Sequence, residues 1–390
     1  MPSMHRRVWH LGWISFFADI SSEMAYPAIP LFLKNVLKAP VAAIGLVEGV
    51  AEALVSIMKG LSGIHSDRSG RRTPYLQWGY GLSALGKPMI ALATVWPMVL
   101  LARVTDRLGK GIRTPARDAL LADTVDASRR GEAFGIHRAM DTAGALVGVL
   151  LALALLYWMP DGYRTLFLLA AIPGAISVVL TLRLTEATPV EDPETGEPAP
   201  RPAPISVRDL PRGYWRALAL AIVFALGNSS DTFLLLRAQN LGYSAAAAIG
   251  AYALYNVTYA LLSRPMGLLS DRLGRWRVLG AGWLVYAGVY VGFATLGAHA
   301  VWPLFAVYGI YMGFTDGVGK ALVADHAPAG SRGTALGFFY FASGFATLAS
   351  SLIAGLLWDR IGAAAPFWFG AACAVVAAAL IPVTRPRAMV

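Results

Sequence analysis

The segment Phe16-Phe17-Ala18-Asp19-Ile20-Ser21-Ser22-Glu23-Met24-Ala25-Tyr26-Pro27 sets two carboxylates in the middle of an apolar run extending from about Val8 to Leu37. A run of that length can cross a bilayer. Asp19 and Glu23 are four residues apart, so they fall one turn apart on one helix face. Ionised groups at that depth are costly without a partner or a water-filled cavity, and they mark transport paths or proton relays by default. About two hundred residues later, Phe224-Ala225-Leu226-Gly227-Asn228-Ser229-Ser230-Asp231 repeats the device inside a second apolar run.

Composition agrees with a membrane chain. Of 390 residues, 56% are hydrophobic and only 14% charged, against roughly 25% charged in soluble domains, and the mean hydropathy is +0.55. The net charge of +10 would suit a nucleic-acid binder if the chain were soluble. Here it reads as Lys and Arg gathered in loops on one side of a membrane, and no nucleic acid is expected. Cys373 is the one cysteine, which excludes an internal disulfide or a thiolate zinc cluster. Arg6-Arg7 ahead of an apolar run mimics an export signal, but no Ala-x-Ala closes the run. The first helix is therefore expected to stay uncleaved.

Apolar runs of suitable length predict twelve helices, near 8–35, 42–65, 74–94, 97–122, 131–156, 162–183, 214–237, 245–269, 276–297, 301–325, 332–357 and 364–383. The stretch between the sixth and seventh is rich in Pro, Glu and Arg and reads as a linker. The expected organisation is a six-helix half over 1–184, a linker over 185–213 and a second six-helix half over 214–390. Arginines such as Arg68, Arg129, Arg201, Arg272 and Arg385 fall on one side of this topology. That side, with both termini, is expected to be cytoplasmic in a bacterial inner membrane. The fourth helix is too charged for a simple hydropathy reading, and the internal repeat supports it. Trp96-Pro97 leads to Asp106 and Lys110, as Trp302-Pro303 leads to Asp316 and Lys320.

Between the second and third helices stands Gly63-Ile64-His65-Ser66-Asp67-Arg68-Ser69-Gly70-Arg71-Arg72, and 204 positions later Gly267-Leu268-Leu269-Ser270-Asp271-Arg272-Leu273-Gly274-Arg275. This paired loop resembles the G-x-x-x-D-R-x-G-R motif of the major facilitator superfamily, and the resemblance covers nearly the whole chain. It implies an all-α membrane protein of twelve transmembrane helices in two pseudo-symmetric halves. It also implies a cytoplasmic gating role for Gly63, Asp67, Arg68, Gly70, Arg71, Gly267, Asp271, Arg272, Gly274 and Arg275. Asp19-x-x-Ser22-Glu23-Met24, Asp106 through Thr114 and His137-Arg138-Ala139-Met140-Asp141 are similar to a narrower bacterial branch with nickel-resistance exporters and magnetosome-associated facilitators. That likeness implies proton-driven efflux, with a divalent metal as one candidate substrate. The chain departs from the pattern in lacking a His-rich tail and in lacking a Pro after Gly148.

If helices 1, 4, 7 and 10 line a midplane cavity, as the resemblance implies, the substrate or proton-coupling candidates are Asp19, Ser22, Glu23, Met24, Asn228, Ser230, Asp231, Asp106, Arg107 and Asp316. A desolvated carboxylate beside another is suited to carrying a proton. Asp19, Glu23 and Asp231 would also make an oxygen-rich metal site. Second choices are Glu48, Glu52, Lys110, Lys320, His137 and Asp141. Asp106 and Lys110 are spaced for a pair along one helix. Arg113, Arg117, Asp118 and Asp123 are expected in a salt-bridge lattice near the cytoplasmic gate, with Asp67 and Asp141. No nucleophile–base set or cofactor motif appears in the sequence, which reads as a transporter rather than an enzyme. The expected partners are protons, lipid and a small solute or metal ion, with the protein a monomer. The alternative is an importer or exporter of an organic or anionic solute, such as a drug, siderophore or lipid.

Overall fold

The computed structural model describes residues 6–69, 71–124, 130–184, 207–326 and 332–384. Within them lie fourteen α-helices and no strand: α1 Arg6–Ala25, α2 Ala28–Asn35, α3 Val41–Ser69, α4 Thr73–Leu92, α5 Trp96–Asp123, α6 Arg130–Trp158, α7 Tyr163–Thr181, α8 Arg212–Gly227, α9 Thr232–Asn240, α10 Ala245–Leu273, α11 Arg275–Thr295, α12 Val301–Asp325, α13 Arg332–Arg360 and α14 Ala365–Thr384. Among the described residues, eight helical stretches are long and apolar enough to span a membrane by length and composition. The charged α5 is not one of them.

Two expectations need correcting. The predicted helix 8–35 is broken into α1 and α2, because Pro27 lacks an N–H and disfavours helical backbone at Tyr26. The predicted helix 214–237 is broken after Gly227 and resumes at Thr232 as α9. There Asn228 turns out of the helix (φ −91°, ψ 77°), and Ser230 Oγ accepts from Thr232 N at 3.4 Å. Short polar side chains compete for backbone groups in this way. Tyr286 OH donates to the carbonyl of Gly227 at 2.8 Å, satisfying one acceptor released at the break. Joined across the two breaks, fourteen helices make twelve spans.

The chain divides into two compact units, Met1–Ile29 with Leu54–Pro202, and Pro30–Ala53 with Ala203–Val390. Segment 30–53 thus groups with the second unit, unlike the expected boundary at 184. In the first unit α1 packs on α6 and α7, and α4 packs on α5 and α7. In the second, α10 and α11 pack on α12, and α8 and α11 pack on α14. Also in the second unit, the N-terminus of α3 is capped from the end of α13. Asp359 accepts from Val41 N at 3.1 Å and from Ala42 N at 2.7 Å, placing negative charge where the helix dipole favours it.

Close approach of α1 and α6 depends on glycine. A Cβ at Gly144 would strike the backbone carbonyl of Phe16, and one at Gly148 would come within 2.6 Å of the Ile20 carbonyl oxygen. Met24 is 4% exposed, and its backbone N lies beside Gly148 where α1 meets α6. Gly144→Leu is expected to cost about 1–3 kcal/mol by overpacking, read as a lower denaturation midpoint of the purified protein in detergent. The repeated loops also share local structure. Ser66 Oγ donates to the Gly63 carbonyl at 3.1 Å, and Ser270 Oγ to that of Gly267 at 2.7 Å. Gly274, at φ +89°, ends α10 in a conformation that needs glycine.

Candidate functional site

In the first unit, the polar residues of α1 meet those of α4, α5 and α6. Asp19 lies beside Asp141 of α6, their carboxyl groups within electrostatic reach of one another. Two carboxyl groups that close repel when both are ionised. Lys110 and Arg113 of α5 lie within electrostatic reach of Asp19, and Lys110, Arg107 and Arg103 within reach of Glu23. Asp141 is further held by Arg138 Nη1 at 3.3 Å and by Arg117 Nη1 at 4.0 Å. Arg117 also grips Asp118 at 2.9 Å and donates to Ser15 Oγ at 3.5 Å. Ser15 in turn meets His137 Nε2 at 2.8 Å and Tyr80 OH at 3.3 Å. His137 is buried in this network, so its ring is held in place within the first unit.

A second cluster centres on Asp106. The sequence predicted a pair with Lys110, but the salt bridge instead runs to Lys87 Nζ of α4 at 2.8 Å. Arg103 Nη1 and Arg107 Nε approach the other carboxylate oxygen at 3.6 and 4.0 Å. Lys87 also donates to the Ser83 carbonyl at 2.9 Å and to Ser22 Oγ at 3.4 Å. Ser22 is therefore tied to the cations of α4 and α5. The guanidinium carbons of Arg103 and Arg107 lie 5.6 and 5.8 Å from the ring centre of Tyr26, beside the break between α1 and α2. Such contacts offset part of the cost of burying the guanidinium. Arg113 departs from the expected lattice of carboxylates by stacking on Tyr80 at 4.3 Å. Lys87 escaped the sequence reading although a lone Lys in an apolar span was visible there.

In the second unit, the break between α8 and α9 presents Asp231 to a wall of tyrosines. Tyr308 OH donates to Asp231 Oδ1 at 2.7 Å, and Tyr259 OH to Asp316 Oδ2 at 2.8 Å. Tyr255 links the two, its ring 5.2 Å from that of Tyr308 and 6.4 Å from that of Tyr259. Tyr286 stacks on Tyr290 at 3.9 Å behind them. Asn228 Oδ1 is buried without a hydrogen-bond partner among the described residues. The tyrosines were not singled out in the sequence: Tyr255 and Tyr259, Tyr286 and Tyr290, and Tyr308 and Tyr311 recur at helical spacing, but that spacing does not say which helices meet.

Other candidates are distributed differently. Glu48 is fully buried on the part of α3 that belongs to the second unit, with Glu52 one turn on. Arg71 lies between α3 and α4, Arg272 in the last turn of α10 and Arg275 at the first position of α11. The side chains of Asp67, Arg68, Asp123, Asp271 and Lys320, together with Gly70, lie outside the described residues. Asp19 and Glu23 belong to the first unit and Asp231 to the second. Among the described residues, no group of three or more His, Cys, Asp or Glu is gathered as a metal centre.

Comparison with known proteins bears directly on this architecture. The chain is 34% identical over 385 residues to an uncharacterized MFS-type transporter of Methanocaldococcus jannaschii, covering 97% of this chain and 94% of that one. It is 25% identical over 332 residues to the multidrug resistance protein MdtG of Dickeya zeae, covering 81% and 78%. In fold it is similar to a nucleoside transporter crystal structure, with a TM-score of 0.78, 15% identity and coverage of 97% and 100%. The family model of the Major Facilitator Superfamily matches residues 11–253 and 218–389. With its multi-pass helical fold, this chain belongs to the Major Facilitator Superfamily, a family of secondary transporters rather than enzymes.

Proposed function

We propose that this protein is a proton-coupled exporter of an organic cation. The observation that carries the reading is the approach of the carboxyl groups of Asp19 and Asp141 within the first unit. A proton held between them is the one to be exchanged. Like charges that close cannot both ionise easily, so the pair gains or loses one proton as a unit. Arg117 and Arg138 hold Asp141 from the other side, and a change in their distance would alter the cost of ionising the pair.

Support for the substrate class comes from the second unit. Asp231 and Asp316 supply negative charge beside Tyr255, Tyr259 and Tyr308, and aromatic faces attract desolvated cations. The multidrug resistance relative supports an organic solute and the outward direction. A divalent metal, the narrower expectation from the sequence, has less support, since Asp19 and Glu23 are engaged with Asp141 and the cations of α5. A second reading, an organic anion, is favoured by one observation: Lys87, Arg103 and Arg107 surround the single carboxylate of Asp106.

The test is purified protein in proteoliposomes carrying a lumenal pH dye. Organic cations, organic carboxylates and divalent metal salts are added in turn under an imposed proton gradient. The proposal expects dye responses to organic cations. A response to carboxylates alone favours the second reading, and a response to metals alone, or to no solute, overturns the first.

A further inference from the structure

Outside the polar network, the first unit carries a groove of about 660 Å³ lined by Arg6, Arg7, Trp9, Trp13, Phe17 and Arg183, among others. It runs where the start of α1 meets the end of α7, and His10 Nε2 on the Leu180 carbonyl at 2.9 Å ties the two helices at its floor. Its chemistry is graded. Arg6, Arg7 and Arg183 sit at the helix ends. Below them, Trp9, Trp13 and Phe17 follow one another at intervals of four residues, so the aromatic lane descends about 12 Å along one helix face. Trp9 and Trp13 remain 46% and 47% exposed, large apolar surfaces left uncovered by the described residues.

The internal repeat shows that this lane is not required by the fold. Aligning Ser21-Ser22-Glu23 with Ser229-Ser230-Asp231 puts Ala217, Ala221 and Ala225 of α8 at the places of Trp9, Trp13 and Phe17. Arg6 and Arg7 align with Tyr214 and Trp215. In the second unit Tyr214 is buried and bonded to the Ala335 carbonyl at 2.8 Å, and Trp215 packs edge-on against Phe338 at 5.6 Å. What protein fills in one copy is left open in the other, with arginines at the mouth.

We propose that the α1–α7 groove binds one anionic phospholipid, its phosphate among Arg6, Arg7 and Arg183 and an acyl chain along Trp9, Trp13 and Phe17. Juxtamembrane arginines attract anionic headgroups, guanidinium forks match phosphate oxygens, and tryptophans favour the level where headgroup meets hydrocarbon. A free phosphate would use the mouth but leave the lane uncovered, so the occupant is a lipid. The site is independent of the transport reaction proposed above.

Native mass spectrometry of the full chain in detergent tests this. The protein is titrated with phosphatidylglycerol, phosphatidylcholine and, separately, inorganic phosphate. Wild type is expected to retain phosphatidylglycerol in preference to phosphatidylcholine, with inorganic phosphate failing to displace it. Arg6→Gln/Arg183→Gln should weaken retention by about fivefold for each arginine removed. Arg6→Lys/Arg183→Lys should keep most of it, separating loss of charge from loss of fold. Trp9→Ala/Trp13→Ala should weaken binding while preserving headgroup preference. The matched pair Arg212→Gln/Arg216→Gln at the start of α8 should change nothing. Equal retention of phosphatidylcholine, displacement by inorganic phosphate, or equal loss in the α8 pair overturns the proposal.

Discussion

Asp141→Asn is expected to abolish gradient-driven transport while leaving substrate exchange in place. The amide keeps the size of the carboxyl and can still donate to Asp19, but it cannot take up or release a proton. Proton-driven accumulation should fall to the level seen without a gradient. Exchange of labelled for unlabelled substrate needs no net proton movement and should survive. Asp19→Asn should give the same phenotype. The double variant should be no worse than either single one, because one proton belongs to the pair. Asp118→Asn provides the contrast. That carboxylate also meets Arg117 but is 43% exposed, so its loss should perturb transport little. Proteoliposome uptake with and without the gradient, beside counterflow exchange, separates these outcomes.

The largest effect on stability is expected from Asp106→Asn. Lys87 and Asp106 are paired at 2.8 Å with side chains 3% and 8% exposed, and Arg103 and Arg107 lean on the same carboxylate. Removing the charge takes away the carboxylate that Lys87 is paired with and that Arg103 and Arg107 approach, and breaking a buried pair this way costs about 3–5 kcal/mol. Lys87→Met/Asp106→Asn should recover part of that loss, because the buried ammonium that was paired with Asp106 is then gone. Denaturation midpoints of the purified variants in detergent, compared with wild type, check both expectations. A single variant as stable as wild type would mean that the arginines find other acceptors.

The parts of this molecule that were readable in the sequence are those with linear signals. Apolar runs located most of the helices, the internal repeat supported the charged fourth, and two copies of a glycine-and-arginine loop identified the family. The acidic device in the first half, Asp19 and Glu23, was visible because charge in an apolar run stands out. Its partner was not resolved so well. Asp141 was a second choice behind Asp231, since sequence spacing does not say which helix packs beside α1. The same limit explains Asp106. Lys110 is its neighbour along α5, but Lys87 reaches it across the α4–α5 contact, where Gly79, Gly86 and Gly109 let the helices approach. The breaks in α1 and α8 had different legibility. Pro27 is a linear signal for the first, although the apolar run around it predicted one unbroken helix, whereas the second arises from Asn and Ser side chains competing for backbone groups, a weaker signal. The tyrosine wall around Asp231 and Asp316 assembles from α10, α11 and α12, and only three-dimensional packing brings it together.

The central claim is that Asp19 and Asp141 hold one proton between them, and infrared spectroscopy of the protein in lipid under transport conditions tests it most directly. The account predicts a protonated-carboxyl stretching band in wild type that disappears in Asp19→Asn and in Asp141→Asn alike. A wild-type spectrum without such a band, or a band that both substitutions leave untouched, would contradict it.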